Sequence, residues 1–419
     1  MDDKMTVYNT IIIGGDSSGL LSAIHLNDDK SVLLEKNEIL GKKILITGGG
    51  RCNLTNNSPL EVYMNSFYNN GKFYRNAFSN FFNKDIVELL ERNGCKCKVE
   101  ENERVFPVSD KSKSVQETFI KILDKSETEY RLNSEVKKIK KENDIFIVKL
   151  DDSMILKSKY LILATGGNAY PRTGSTGDGY KFAKALGHSL SKQMGGLSPL
   201  KIEEKWINAL QGITVDVNLE VKSNKKSVVK DNGSIIFTHN GISGPVILNN
   251  SMNIEKFLRK NQDVKVNIDL CENYSYEELD RKLQDDFADR SNKSIKTYLH
   301  NYLPKRMSAE FLKHLDIDCD KILNQVTKKE RLVIRDSLKR LTLTVAEVLE
   351  KEAFVTNSGI KRKEIDPNTF ESKIVDNLFI VGELIEGCGI SGGFNLQQAY
   401  STGTLAAKSI RERINHDTY

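Results

Sequence analysis

Two glycine-rich segments near opposite ends of the chain constrain its fold more than any other feature. The first reads Gly41-Lys42-Lys43-Ile44-Leu45-Ile46-Thr47-Gly48-Gly49-Gly50-Arg51-Cys52-Asn53-Leu54-Thr55-Asn56. The second follows the apolar run Leu378-Phe379-Ile380-Val381 and passes from Gly382-Glu383 to Gly389-Ile390-Ser391-Gly392-Gly393-Phe394-Asn395-Leu396-Gln397-Gln398. Such clusters mark backbone that turns sharply or passes close to something flat or charged. A third turn lies between them and the N-terminus, in Thr10-Ile11-Ile12-Ile13-Gly14-Gly15-Asp16-Ser17-Ser18-Gly19-Leu20. Together the three outline a large nucleotide held by both ends of the sequence.

The third turn sits in a strand, helix, strand pattern. Ile11, Ile12 and Ile13 form an uninterrupted apolar strand, as in a parallel sheet covered on both faces. Leu20, Leu21 and Ile24 share a helical face, and Val32-Leu33-Leu34 is the next strand. A dinucleotide fingerprint wants glycine at three positions, occupied here by Gly14, Asp16 and Gly19. Gly14 allows the tight turn and Gly19 allows close helix-to-strand packing. Asp16 puts a carboxylate where a diphosphate approaches, which Coulomb repulsion disfavours. Either its side chain points away, with Gly15 absorbing the backbone strain, or cofactor affinity is reduced. Ser17 and Ser18 add hydroxyl donors at a helix N-terminus that favours anions. Glu35 stands 21 residues after Gly14, at the end of the second strand, where an acidic residue accepts from ribose hydroxyls. The competing reading is a glycine turn that binds nothing.

Length and charge set the outer limits. A chain of 419 residues exceeds one ordinary core, so two or three domains are expected. Its apolar content is 39%, its mean hydropathy −0.43 and its net charge +5. The lysines are dispersed, and the clusters Lys137 to Lys141 and Lys222 to Lys226 read as solvated faces, so no nucleic-acid partner is expected. No apolar run reaches bilayer length, and Met1-Asp2-Asp3-Lys4 lacks the start of a signal peptide, so a cytoplasmic location is expected without membrane contact. Six cysteines without a CxxC make no disulfide framework; Cys95 and Cys97 read as reduced thiols sharing one strand face. No metal-ligand spacing is visible.

Along the chain, Asp85 to Leu90 and Ser114 to Leu123 read as helices. Strands near Val136, Ile147 and Ile155 form a small antiparallel meander. The meander feeds the apolar strand Leu161-Ile162-Leu163-Ala164, which ends in Thr165-Gly166-Gly167. Thr214 to Val221 and Val264 to Ile268 alternate as antiparallel strands of a small barrel or sandwich. Ser275 with Glu278 forms a capping box ahead of Leu279, Leu283 and Phe287 at helical spacing. These readings predict an α/β fold: a split domain over 1–190 and 351–419, a β-rich insert over 191–272 and a helical subdomain over 273–350.

The inferred cofactor is FAD. A helix from about Asn395 to Ile410, entered through a glycine loop, presents free N–H groups and positive partial charge. Aimed at the isoalloxazine edge, it would stabilise the anionic reduced flavin. The cofactor-binding residues read from the motifs are Gly14, Gly15, Ser17, Ser18, Gly19 and Glu35, then Lys43 and Gly50, Ala164, Thr165 and Gly166, and finally Gly382, Glu383 and Gly393.

The long motifs together resemble those of the bacterial NAD(P)/FAD-dependent oxidoreductases, a flavoprotein family that includes bile-acid enone reductases. The likeness runs through Gly41 to Asn56, Arg104-Val105-Phe106-Pro107, Ala164 to Pro171, Gly174 to Gly179, Phe237 to Pro245, Lys363 to Pro367 and Gly382 to Gln398. It implies a Rossmann-like FAD-binding domain of the glutathione-reductase-like type, interrupted by a β-barrel-like insert and a small helical subdomain. It also implies that Glu35, Lys36, Arg51, Cys52, Asn53, Val136, Thr165, Glu383, Asn395 and Leu396 contact FAD. The chain departs from the family at Asp16 and at Cys388.

Three residues are candidates for chemistry: Tyr170 as a proton donor, His239 as a general acid and Cys52 as a redox thiol. Each has a competing structural role, as does Arg51. The expected function is hydride transfer through FAD, from transiently bound NADH or NADPH to an unsaturated or carbonyl-containing small molecule. The alternative is a weakly FAD-binding, nucleotide-sensing scaffold in which Asp16 has disrupted the turn. An RNA-modifying flavoprotein is disfavoured by the dispersed charge. The substrate and oligomeric state are left open.

Overall fold

The computed structural model describes residues 7–68, 71–192, 195–289 and 292–417. The terminal Met1-Asp2-Asp3-Lys4 lies outside the described residues. The chain divides into two compact units, residues 1–195 with 354–419 and residues 196–353. Each has its own apolar core.

The first unit is built on a seven-stranded sheet. At its centre β1 (Val7–Ile13) pairs in parallel with β2 (Ser31–Leu34) on one side and β3 (Ile155–Leu163) on the other. Ile11 and Ile12 are fully buried, which is why this strand reads as a continuous apolar run rather than an alternating one. Between β1 and β2 runs α1 (Ser17–Leu26). The second half of β3 pairs in parallel with β4 (Leu378–Ile380), so a strand from near the C-terminus enters the same sheet. The first half of β3 carries the antiparallel meander Ile145–Leu150 and Val136–Glu142. A smaller sheet joins Thr55–Asn56, Arg104–Pro107 and Cys97–Glu100. The helices Asn83–Arg92 and Ser112–Leu123 fall where the apolar spacing places them. The last helix, α2 (Phe394–Asp417), is longer than the glycine-loop signal suggests.

α1 and α2 approach closely. A Cβ on Gly403 would lie 2.2 Å from the Ser18 carbonyl oxygen, and within the β1–α1 turn one on Gly19 would lie 1.8 Å from the Gly14 carbonyl oxygen. Neither approach admits a side chain.

The second unit is a closed barrel in the order Leu200–Ile202, Gly241–Ser243, Lys226–Phe237, Thr214–Ser223, Val264–Asp269 and Leu341–Val348, which returns to the first. Val217, Leu219 and Val221 are buried and alternate with more exposed neighbours, whereas Val264–Asp269 buries Asn267 along with Val266 and Ile268. The Ser275–Glu278 box is formed, with Glu278 N–H donating to Ser275 Oγ at 3.2 Å and Ser275 N–H donating to Glu278 Oε2 at 2.8 Å. The helical reading of 273–350 needs one correction. Leu341–Val348 is a strand that closes the barrel, because Leu341, Leu343 and Val345 alternate inward against Val264–Asp269 and Leu200–Ile202.

Candidate functional site

The first turn fixes the site. Gly14 has φ of +103°, and a Cβ there would come within 2.6 Å of the Ala164 carbonyl oxygen at the end of β3. The left-handed strain thus falls on Gly14, not on Gly15 as one of the two sequence readings has it. Asp16 is the N-cap of α1. One carboxylate oxygen accepts from Ser17 N–H at 2.7 Å and Ser17 Oγ at 2.9 Å, and the other accepts from Lys43 N–H at 2.7 Å. The carboxylate therefore sits where a helix dipole favours negative charge, and it ties the turn to the first glycine-rich segment. The Gly41 N–H donates to the Gly15 carbonyl at 2.8 Å, a second tie. The turn is intact with aspartate in its middle.

A cleft of about 580 Å³, open to solvent, lies at the C-terminal ends of the parallel strands. Its lining brings together the predicted residues Gly14, Gly15, Glu35, Lys36, Lys43, Val136, Ala164 and Thr165. Glu35 is buried; one oxygen accepts from Gly15 N–H at 2.7 Å, and the other accepts from Asn37 N–H at 2.8 Å and Asn37 Nδ2 at 2.6 Å. Lys36 Nζ donates to Asp178 at 2.6 Å and Thr176 at 2.7 Å. Asn37, Ser134, Ser175, Asp178 and Phe182 complete the wall without having been predicted. Ser175 and Asp178 lie in the glycine-rich stretch 174–179, which offered a signal. Ser134 and Phe182 offered none.

The remaining predicted residues build the frame around this cleft. Ser17 serves the cap, and Ser18 lies beneath Gly382, whose missing Cβ would sit 2.6 Å from Ser18 Oγ. Gly19 is a packing position. Gly166 turns the chain at φ of +70° after β3. Lys43 Nζ reaches Glu383 at 2.5 Å, and Glu383 also accepts from Thr356 N–H at 2.6 Å. Asn53 faces the Gly393 N–H at 3.1 Å, Asn56 Nδ2 donates to the Gly392 carbonyl at 3.1 Å, and Thr55 Oγ1 donates to Gln397 at 2.7 Å. The two glycine-rich segments are thus joined side by side. Asn395 spans its own loop, accepting from Gly389 N–H and donating to the Gly389 carbonyl, and Leu396 packs against the core.

The three candidates for chemistry and Arg51 have the following surroundings. Arg51 is committed to Glu100 and Asp110, each at 2.5 Å, and stacks 4.2 Å from the Phe106 ring, so it fixes its loop. Cys52 is fully buried, and burial pushes its thiol up to about 12, which keeps it protonated and sealed. His239 is an exposed residue of the barrel unit, just before Gly241–Ser243. Tyr170 is half-buried against Phe354 in the first unit, and burial raises its phenol, so it keeps its proton at neutral pH.

The residues present fit an adenine dinucleotide. Gly14 offers bare backbone at the strand end, and the Glu35 carboxylate lines the cleft at the ribose position. Thr165 Oγ1 is buried without a partner among the described residues. Over Gly49 and Gly50 a Cβ would meet nothing within 4 Å, which leaves an open shelf on the first glycine-rich segment.

Comparisons with known proteins give the family of the chain. Residues 8–409 match the family described as HI0933-like protein Rossmann domain. The chain is 29% identical over 409 residues to a 3-dehydro-bile acid delta(4,6)-reductase of Clostridium scindens, covering 96% of this chain and 98% of that protein. It is 28% identical over 412 residues to a ribosomal RNA dihydrouridine synthase of Escherichia coli, covering 97% and 98%. Among solved structures, a 3-ketosteroid-delta4-(5alpha)-dehydrogenase of Rhodococcus jostii shares the fold, with TM-score 0.52, 13% identity and 98% of each chain covered.

Proposed function

The chain belongs to the HI0933-like Rossmann-domain family, and from that premise we propose that it is an FAD-dependent oxidoreductase that reduces a carbon–carbon double bond conjugated to a carbonyl. The observation that carries this reading is the cleft lined by Gly14 and Glu35, beside the two joined glycine-rich segments. The two relatives differ in substrate but share a chemistry. A Δ(4,6) dienone and the uracil ring of uridine each place a C=C bond next to a carbonyl, and saturating either requires a hydride and a proton. Bound FAD supplies the hydride chemistry, replenished by NADH or NADPH.

The chain's own residues bind and orient. Gly14 and Gly15 would bring bare backbone close to the diphosphate, beside an α1 N-terminus that Asp16 already caps. Glu35 accepts from the ribose hydroxyls. The Gly392-Gly393 loop and the start of α2 would hold the reacting end of the cofactor. Tyr170, which retains its O–H, is the favoured proton donor of the three candidates.

A ribosomal RNA substrate is the second reading. The Escherichia coli relative named for it matches over nearly the whole chain, and this weighs against the expectation that no nucleic acid is involved. The intact turn, in which Asp16 caps the helix, weighs against the scaffold reading.

The test has three stages. The purified protein's visible spectrum is recorded, and the flavin released on denaturation is identified. Anaerobic NADH and NADPH are then added to look for bleaching. The reduced protein is finally offered a steroid dienone in one arm and ribosomal RNA lacking dihydrouridine in the other. Protein that stays colourless after incubation with FAD would sink the proposal. Reoxidation in only one arm decides between the substrates.

A further inference from the structure

Tyr170 stands in a left-handed conformation, with φ of +59° and ψ of +63°, which a bulky side chain rarely adopts. Its carbonyl is tied down by Thr173, whose N–H donates to it at 2.9 Å and whose Oγ1 donates at 2.8 Å. The chain leading to it is clamped as well. Thr356 Oγ1 accepts from Asn168 N–H at 2.9 Å and Ala169 N–H at 3.2 Å, while Thr356 N–H donates to Glu383 at 2.6 Å. Through Glu383 the clamp reaches Lys43, which lines the cofactor cleft. Just before Thr356, the ring of Phe354 meets the Tyr170 ring edge-on, with centroids 5.9 Å apart and planes at 76°.

Phe354 is 43% exposed and is the one exposed phenylalanine among the described residues. A lone exposed apolar side chain needs no explanation in itself. The company of this one sets it apart. It is built against a tyrosine held in a strained conformation, on a segment fixed to the rim of the cleft. Strain of that kind persists where the surroundings enforce it, and it clusters at sites that bind or react.

We propose that Phe354 is the substrate-positioning residue, an aromatic wall against which a flat, conjugated carbonyl ring lies beside Tyr170. This rests on the reductase reading above. An aromatic side chain attracts a flat π-system by offset stacking and by burial of apolar area, and it tolerates many substituents around that ring. The unsaturated ring of a steroid dienone and the uracil ring each present such a face, so one residue serves either substrate. The near-perpendicular pair offers a ring to stack on from Phe354 and a hydroxyl-bearing ring from Tyr170. Because the Tyr170 backbone is fixed beforehand, the proton donor is in place before the substrate arrives.

The test uses the full-length, flavin-loaded protein and the variants Phe354→Ala, Phe354→Leu and Phe354→Tyr. A steroid 4,6-dien-3-one is titrated into the oxidised protein, and binding is read from the shift of the bound-flavin absorption, which needs no turnover. Steady-state KM and kcat for the same dienone follow. Phe354→Ala is expected to weaken binding and raise KM about tenfold, with kcat much less affected. Flavin content and the urea midpoint are expected to stay at wild-type values, because the ring is open to solvent. Phe354→Tyr, which keeps the ring, is expected to restore affinity. Phe354→Leu, which loses it, is expected to behave as Phe354→Ala does and decides the matter if that variant does not fold. Unchanged affinity and KM in Phe354→Ala overturn the proposal and leave the reductase reading standing. A loss of affinity matched by loss of flavin or stability marks a structural role and overturns it too. If ribosomal RNA alone reoxidises the wild-type protein, the same KM comparison is made with that RNA. Wild-type protein reoxidised by neither substrate fails the reductase reading, and this proposal falls with it.

Discussion

Lys43 Nζ lies 2.5 Å from a Glu383 carboxylate oxygen, across 340 residues of sequence. The pair joins the glycine-rich segment that opens the chain to the one that closes it, at the rim of the nucleotide cleft. Both side chains are about one-fifth exposed or less, so neither charge is freely solvated.

Glu383→Ala therefore does more than remove a surface ion pair. It strands the Lys43 ammonium and the Thr356 N–H together. A loss of about 2 kcal/mol is expected, together with weaker FAD retention. Chemical denaturation with and without added FAD measures both. A change within error would show that the pair is idle.

Gly19→Ala tests a close backbone approach in the nucleotide fold. The new methyl group would lie 1.8 Å from the Gly14 carbonyl oxygen, which is backbone and cannot swing aside. Expected are a destabilisation of more than about 2 kcal/mol and protein that purifies without flavin. Yellow, normally stable Gly19→Ala protein would contradict the packing described.

Asp16→Gly separates two effects. If the carboxylate repelled the diphosphate, restoring glycine would tighten FAD binding. Because Asp16 caps α1 and accepts from Lys43 N–H, the expected outcome is instead a loss of about 1 kcal/mol of stability with no gain in affinity. Equilibrium unfolding and a flavin titration give the two numbers. A tenfold tighter FAD complex would restore the repulsion argument.

His25 gives the protein a pH dependence. It sits in the last turn of α1, edge-on to Phe81, and its imidazole is pushed down from 6.5 to about 4, by burial first and then by Lys408 and Arg411. The unfolded chain thus takes up this proton at higher pH than the folded one. Stability from this group is undiminished above pH 6.5, falls as the pH drops toward 4, and is then lost in full, about 3 kcal/mol. Urea titrations across that range, set against His25→Gln, isolate the term. Parallel curves for the two proteins would refute it.

Much of the site was legible in the chain because it is carried by local backbone demands. Gly14, Gly19 and Glu35 occupy a turn, a packing contact and a strand end whose spacing is set by one strand-helix-strand unit. Other parts had no local signature. Ser134 and Phe182 reach the cleft from separate elements, and nothing in their neighbours marks them. Arg51 is expected at the cofactor only because the family resemblance implies it. Its commitment to Glu100 and Asp110 follows from the small sheet that brings 97–107 alongside. Leu341–Val348 was hidden by the helices before it, since short alternation is read only against its barrel neighbours.

The sequence by itself determined the nucleotide fold and the glycine turns, because periodicity and missing side chains act over a few residues. Only the tertiary structure decided that Asp16 accepts from the Lys43 N–H and that Lys43 meets Glu383. Those are contacts between segments far apart in the chain, and their partners are chosen by the packing of whole elements.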